Sequence, residues 1–308
     1  MARVLVTRRL PFAALERVRA THSVEEWPGE LPAPPDVLRE LAANAEGVLC
    51  LLTDRIDGAF LDAAPKLRVI SNFAVGADNV DLDEAERRGI AVGVTPGVLT
   101  DATADLAMAL ILAAARKLPE AAEDVRHGEW KTWEPAGWLG LELRGATLAV
   151  IGHGRIGRAV GQRAEAFGMD VLPVGRGDSL RDAFMRADVV SLHVPLTAET
   201  RGMIGADELA AMKDGAVLVN TARGGLVDTG ALLAAARDGR VRAALDVTDP
   251  EPLPAHHPLL RTPNVFVVPH IGSATTKARE RMAELAVENL LAGLDGRPLP
   301  HPAEGGGG

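Results

Sequence analysis

Short apolar runs recur along the chain, separated by stretches in which apolar and charged positions follow a helical period. RVLVT (3–7), GVLCLL (47–52), LRVIS (67–71) and IAVGV (90–94) are rich in Val, Ile and Leu and predict buried strands. Between them, PPDVLRELAANA (34–45) and LDEAERRG (82–89) read as helices, the second closed by Gly89. Strand and helix alternating at this spacing predict a parallel sheet covered on both faces.

The alternation then pauses. TPGVLTDATADLAMALILAAARKL (95–118) predicts a turn and a long helix, with Thr100 or Asp101 at its cap. Its apolar residues run nearly all the way round, which predicts burial between domains or subunits. EDVRHGEWKTWEPAGWLGLEL (123–143) follows and holds Trp130, Trp133 and Trp138, a cluster that suits a satellite core and an interface equally. A second alternating series runs through ATLAVIG (146–152), MDVLPV (169–174), DVVSLHV (188–194), AVLVN (216–220), VRAALDV (241–247) and VFVVPH (265–270). It closes with the amphipathic stretch TTKARERMAELAVENLLAGL (275–294), so two doubly wound α/β units are expected. The Gly-rich tail HPAEGGGG (301–308) reads as an unfolded end or an expression remnant.

With 308 residues, 47% of them hydrophobic, the chain has material for two cores. Its net charge of −9 and the lack of a basic block disfavour nucleic acid and anionic membranes as partners. Any anion it binds must be held by a few placed arginines. Cys50 is the only cysteine, which precludes an intrachain disulfide, and its apolar setting reads as a small buried hydrophobe. The N-terminal run lacks the apolar core of a signal peptide, and LAMALILAAA (106–115) has half the ~20 residues of a membrane span, so a cytoplasmic protein is expected.

Gly152, Gly154 and Gly157 follow an apolar strand and open the helical stretch RIGRAVGQRAEAFG. In that context the glycines serve a tight turn, a close approach of pyrophosphate to backbone, and helix–strand packing. The helix N-terminus then offers free N–H groups to phosphate, while His153 and Arg155 read as solvated, not catalytic. About twenty residues on, where an acid ordinarily accepts from the ribose 2′-hydroxyl of NAD, the strand VLPV runs into Gly175 and Arg176. A guanidinium there suits a 2′-phosphate, which an acid would repel. Asp178 taking the ribose from a displaced position is the plainer alternative, and Arg181 is a second candidate cation.

Three polar groups fall just past apolar runs, where open α/β sheets place ligands. They are Arg223 in NTARGG (220–225), Glu251 in DVTDPEPLP (246–254) and His270 in VFVVPHIGS (265–273). Each alone has an ordinary structural reading. Together they suit a 2-oxoacid: a bidentate cation for its carboxylate, a proton donor for its carbonyl oxygen, and a carboxylate that favours the imidazolium. The adjacent His256 and His257 lack the spacing of metal ligands, and no metal is expected.

GHGRIG (152–157), NTARGGLVD (220–228), DVTDPEPLPAHHPLL (246–260) and PHIGSAT (269–275) resemble the D-isomer-specific 2-hydroxyacid dehydrogenase family over essentially the whole chain. The resemblance implies a Rossmann cofactor domain (98–285) inserted into a discontinuous, flavodoxin-like substrate domain (1–97 and 286–308). It implies Arg223, Glu251 and His270 as the catalytic set. For the substrate it implies Val75 and Gly76, through their N–H groups, with Leu52, Arg223, Ser273 and Trp133. For the cofactor it implies Thr103, Gly152, Gly154, Arg155, Ile156, Gly157, Gly175, Arg176, Pro195, Thr200, Thr221, Asp246, His270 and Gly272. VTRRLP (6–11), LLTDRID (51–57), EWKTWEP (129–135) and the Gly175–Arg176 pair resemble the glyoxylate/hydroxypyruvate reductase branch. That branch implies a preference for NADPH, with NADH possible, and a homodimer through the cofactor domain, with Trp133 on its arm. One departure stands out: only GDSLRDAFMRA separates Arg176 from DVVSLHVPLT, roughly a dozen residues fewer than the family segment, on the border of the adenosine pocket. The alternatives are an NAD-dependent dehydrogenase of another acid, such as D-lactate or D-3-phosphoglycerate, and a dinucleotide-sensing corepressor-like protein.

Overall fold

A computed structural model describes residues 1–303 and divides them into two compact units. The first comprises Met1–Leu99 and the segment from Thr275 onward; the second is Thr100–Ala274.

The first unit is built on β1 (Arg3–Val6), β2 (Ser23–Glu26), β3 (Gly47–Cys50), β4 (Val69–Asn72) and β5 (Ala91–Gly93). All pair in parallel, in the order β2-β1-β3-β4-β5, the flavodoxin-like doubly wound arrangement. β3 and β4 are wholly buried, which is why their sequences are continuous apolar runs. One face packs Leu38, Phe60, Leu61 and Ala85 from the crossover helices against Leu5, Val48 and Ile70. The closing helix, Thr276–Leu294, capped by the Thr275 hydroxyl, lies against β3, β4 and β5. The division at Thr275 differs from the one expected at 286. The helix is unbroken and buries Ala278, Met282 and Ala283 from its first turns, so it belongs whole to the first unit.

Residues 301–303, expected to be part of an unfolded end, are tied to the first unit by hydrogen bonds. His301 donates its N–H to Asn289 Oδ1 (2.9 Å), Val94 donates to the carbonyl of His301 (2.9 Å), and Ala303 donates to that of Val92 (2.7 Å). Pro302 bridges antiparallel to Gly93, so these residues cover the exposed side of β5. Glu304–Gly308 lie outside the described residues. Asn289 is fully buried and also donates to the Val94 carbonyl at 2.9 Å. Asn289→Ala strands two backbone partners and is expected to cost about 1–3 kcal/mol, read as a lower melting temperature.

The second unit holds β6 (Thr147–Ile151), β7 (Asp170–Val174), β8 (Val189–Leu192), β9 (Ala216–Asn220), β10 (Val241–Leu245) and β11 (Val265–Val267). They pair in parallel in the order β11-β10-β9-β8-β6-β7. Alternate side chains serve opposite faces. Leu148, Val150, Val217 and Val219 join one core, and Ala149, Ile151, Leu218 and Leu192 the other. The long helix, Thr100–Ala115, is a core element of this unit, packed on β9, β10 and the helix Arg155–Ala166. Burial between units is not needed to explain it, because Asp101, Asp105 and Ala109 form an exposed stripe. Arg163 pairs with both aspartates, at 3.0 and 2.7 Å.

The segment that follows β7 is short. The sheet ends at β7, and the short connection folds into a single helix, Leu180–Arg186, whose N–H at Asp182 is capped by the Ser179 hydroxyl. Pro173 lies within β7, as an edge strand allows and an inner strand does not.

Candidate active site

β6 lies between β7 and β8, so the strand order reverses beside it, and the glycine loop leaves its C-terminal end at that switch point. Gly152 has φ +93°, which favours glycine, and a Cβ there would meet the His193 carbonyl oxygen at 2.7 Å. A Cβ on Gly157 would stand 2.1 Å from the Gly152 carbonyl oxygen. Gly154, the N-cap of the helix Arg155–Ala166, is different: a Cβ there meets nothing within 4 Å. The first intrahelical bond runs from Arg158 N–H to the Gly154 carbonyl, so the N–H groups of Arg155, Ile156 and Gly157 face out of the helix end. An open space bounded by free N–H groups, kept clear by the absence of a side chain, fits a dinucleotide pyrophosphate.

Arg176 is exposed on the turn after β7. Its neighbour Asp178 accepts the Gly175 N–H at 2.7 Å, so one carboxylate oxygen is engaged by the turn's own backbone. A Cβ on Gly175 would meet only that carboxylate, at 3.7 Å. Glu199, on the loop after β8, has its carboxyl lowered chiefly by the Thr197 hydroxyl, with a smaller contribution from the charge of Arg176. On the same loop the Thr200 hydroxyl donates to the Pro195 carbonyl (2.7 Å) and accepts from Thr197 N–H (2.8 Å), fixing the turn. His193 was not singled out by its sequence. Burial lowers its pKa to about 4, and its Nε2 lies 2.8 Å from Ser191 Oγ, so the ring beside the glycine loop is neutral at physiological pH. A His inside an apolar strand run is the only signal for it.

Arg223, Glu251 and His270 follow β9, β10 and β11, three adjacent strands whose ends are in register, Asn220 with Leu245 and Leu245 with Val267. Each side chain therefore leaves the same edge of the sheet. His270 Nδ1 is 2.5 Å from Glu251 Oε1. Glu251 Oε2 accepts the Thr248 N–H at 3.3 Å, which holds the carboxylate. Arg223 is half-buried, and its Nη1 donates to the Ala222 carbonyl at 2.8 Å. Asn220 braces that turn, donating to the Arg223 carbonyl (2.8 Å) and accepting from Ala222 N–H (3.0 Å).

His270 has φ +52°, in the left-handed region that side chains seldom adopt. Asp246, 2% exposed at the end of β10, holds it there. The Asp246 carbonyl accepts His270 N–H (2.9 Å), while its carboxylate accepts Ile271 N–H (2.6 Å) and Gly272 N–H (2.8 Å). Burial raises the Asp246 pKa, and those two N–H groups oppose the rise. The Thr103 hydroxyl donates to the Gly272 carbonyl at 3.2 Å. Thr103 and Asp246 thus shape the PHIG loop from within, a role that sequence motifs do not reveal. Thr221 is buried, with a hydroxyl that has no partner among the described residues, and Ser273 is half-buried.

Leu52 and Val75 are exposed on the first unit, on the loops after β3 and β4, with Gly76 half-buried beside Val75. Trp130 and Trp133 are 71% and 79% exposed, and Trp138 and Leu139 are exposed too, so this stretch is no satellite core. No group of three or more metal-ligating side chains occurs among the described residues, and no helix is long and apolar enough to cross a membrane.

A glycine loop at the switch point of a doubly wound sheet, with a Glu–His pair and an Arg on adjacent strand ends, defines a nicotinamide-dinucleotide oxidoreductase. The family profile described as "D-isomer specific 2-hydroxyacid dehydrogenase, NAD binding domain" matches residues 108–272. A glyoxylate reductase of Aeropyrum pernix is 46% identical over 97% of this chain and 95% of its own. The human glyoxylate reductase/hydroxypyruvate reductase is 43% identical over 97% of both. Among solved structures, the TT0316 protein of Thermus thermophilus superposes with a TM-score of 0.93 at 52% identity, covering 98% of this chain and 100% of that one. An NADPH-dependent glyoxylate/hydroxypyruvate reductase of Sinorhizobium meliloti, in complex with NADP and malonate, gives 0.87 at 33% identity, covering 98% and 96%. The chain belongs to the D-isomer-specific 2-hydroxyacid dehydrogenase family.

Proposed function

We propose that this protein reduces glyoxylate and hydroxypyruvate to glycolate and D-glycerate, with NADPH as the preferred donor. The observation that carries the reaction is the contact of His270 Nδ1 with Glu251. A carboxylate on Nδ1 holds a proton at that nitrogen and leaves Nε2 to act on the substrate. The nicotinamide, when bound, is the source of the hydride for the 2-oxo carbon. His270 gives a proton from Nε2 to the carbonyl oxygen as negative charge develops there. Arg223 pairs with the substrate carboxylate and orients the carbonyl, and Val75 and Gly76 offer it their N–H groups. Leu52, Ser273 and Trp133 complete the substrate contacts of this reading. The substrates follow from the names of the Aeropyrum and human relatives.

NADPH is favoured by Arg176 standing where an acid would hold the ribose of NAD, and by Asp178 being engaged on Gly175. The NADPH-dependent Sinorhizobium relative supports the same choice. The exposed tryptophans supply an apolar arm for pairing with a second copy, in a homodimer through the second unit.

The test is the ratio of kcat/KM for NADPH over NADH with glyoxylate, in the wild type and in Arg176→Asp. Losing a charged hydrogen bond to phosphate costs about 1.5–3 kcal/mol, so the ratio is expected to fall by about 10- to 150-fold. A wild type that favours NADH, or a ratio unmoved by the substitution, rejects the NADPH assignment. Absence of turnover on glyoxylate and hydroxypyruvate with either cofactor rejects the reaction.

A further inference from the structure

We propose that Asn79, acting with Asn72, is a positioning residue that sets the backbone N–H groups of Val75 and Gly76 for the substrate carboxylate; this rests on the function proposed above. The loop after β3 carries Leu52 and the loop after β4 carries Val75 and Gly76, and one pair of amide side chains joins them. Asn79 Nδ2 donates to the carbonyls of Leu51 (3.0 Å) and Asp54 (2.9 Å), both on the first loop. Its Oδ1 accepts from Asn72 Nδ2 at 2.9 Å, and that same nitrogen donates to the Gly76 carbonyl at 2.9 Å. Asn72 is fully buried at the end of β4, and its Oδ1 accepts from the Cys50 thiol at 3.4 Å. The Asn79 amide nitrogen is directed at these two loop carbonyls, with a longer contact of 3.5 Å to Asn72 Oδ1.

The consequence lies in the peptide planes. A trans peptide points its C=O and the following N–H in opposite directions. The Ala74 carbonyl accepts Thr95 N–H at 2.8 Å, which fixes the plane that carries the Val75 N–H. Asn72 fixes the Gly76 carbonyl, and hence the plane after it. The plane between them, which carries the Gly76 N–H, is therefore clamped from both sides. Asn79 locks Asn72 to the neighbouring loop, whose turn is closed separately by Leu51 N–H on Asp54 Oδ2 (2.8 Å). A rigid joint there lets one geometry of N–H groups meet a carboxylate without reordering at the moment of binding.

The experiment compares Asn79→Ala and Asn79→Ser with Leu290→Ala, a buried leucine of the same unit that lies beside Gly47 at the start of β3, the end of the strand away from both loops. Steady-state kinetics with glyoxylate are read beside the inhibition constant of oxamate, an unreactive 2-oxoacid analogue, and the melting temperature. Both Asn79 variants are expected to raise the glyoxylate KM and the oxamate constant about tenfold, with kcat within about threefold and the KM for NADPH unmoved. Leu290→Ala is expected to lower the melting temperature and leave both constants alone. A merely structural role reduces the active fraction, and so kcat, without moving KM. If the wild type turns over and both Asn79 variants keep its KM and oxamate constant, or Leu290→Ala shifts them equally, the inference is overturned alone. An inactive wild type overturns the functional reading and the inference with it.

Discussion

His270→Ala lowers kcat for glyoxylate by about 10³-fold while NADPH binding, followed by nucleotide fluorescence, stays within a factor of about two. The size follows from what the structure concentrates on that ring. Nδ1 is engaged by Glu251, whose other oxygen is tied to Thr248 N–H, so the imidazole has one orientation, with Nε2 facing no hydrogen-bond partner among the described residues. The backbone at His270 is held in a left-handed conformation costing about 1–3 kcal/mol, and Asp246 supplies three hydrogen bonds that keep it there. Such strain persists only where the surroundings fix it, and here they fix a proton donor at the strand end. Alanine removes the donor without touching the Asp246 clamp, so the loop and the cofactor site survive. Glu251→Gln is expected to lose less, because the amide oxygen still accepts from Nδ1 but carries no charge to stabilise the imidazolium. If the kcat of His270→Ala stays within about tenfold of the wild type, the proton comes from elsewhere and this assignment fails.

The second unit was the more legible half. Its four inner strands are fully or largely buried, and the apolar runs in the sequence coincide with these and with the two less buried edge strands, β7 and β11, while the three polar groups fall just past β9, β10 and β11. What the chain could not display is register. That Glu251 reaches His270 depends on the parallel pairing of β10 with β11, a contact across nineteen positions that no local pattern encodes. In the first unit β2 went unread. SVEE alternates between exposed and half-buried positions and carries two glutamates, and it is a strand only because β1 offers it a backbone edge. The same limit hid the polar scaffolding. Asn72 and Asn79 lie inside NFAVGADNVD, which was read for its Val75 and Gly76 N–H groups alone. The Asn79 amide acts on carbonyls of a loop 25 and 28 positions earlier, and the Asn72 amide on Asn79 and the Gly76 carbonyl. Asn289 and the tail residues it fastens were obscured in the same way, since a Gly-rich end dominates the local composition.

Gly157→Ala and Gly154→Ala both lose NADPH, and they differ in what else they lose. A methyl group on Gly157 is placed 2.1 Å from the Gly152 carbonyl oxygen, a distance that neither atom can tolerate, and both atoms belong to backbone. Either the helix Arg155–Ala166 retreats from the strand or the loop turns its carbonyl, and overpacking of this kind costs about 1–3 kcal/mol. Val150 Cγ1, 3.0 Å from the same methyl, closes the other way out. The melting temperature therefore falls and the N–H groups of Arg155 and Ile156 move off their line. At position 154 a methyl meets nothing within 4 Å, and φ there is −75°, so the apo protein is expected to melt within about a degree of the wild type. The only thing a side chain at 154 can obstruct is the space in front of the helix end. NADPH affinity, titrated by fluorescence, is expected to drop at least about tenfold in both variants, and the melting temperature only in Gly157→Ala. A Gly154→Ala protein that binds NADPH as tightly as the wild type would show that the pyrophosphate does not approach the backbone at this loop. A Gly157→Ala protein with unchanged melting would show that the loop carries slack the geometry denies. The pair thus separates the two duties of one motif, since one glycine keeps the loop folded and the other leaves room for the ligand.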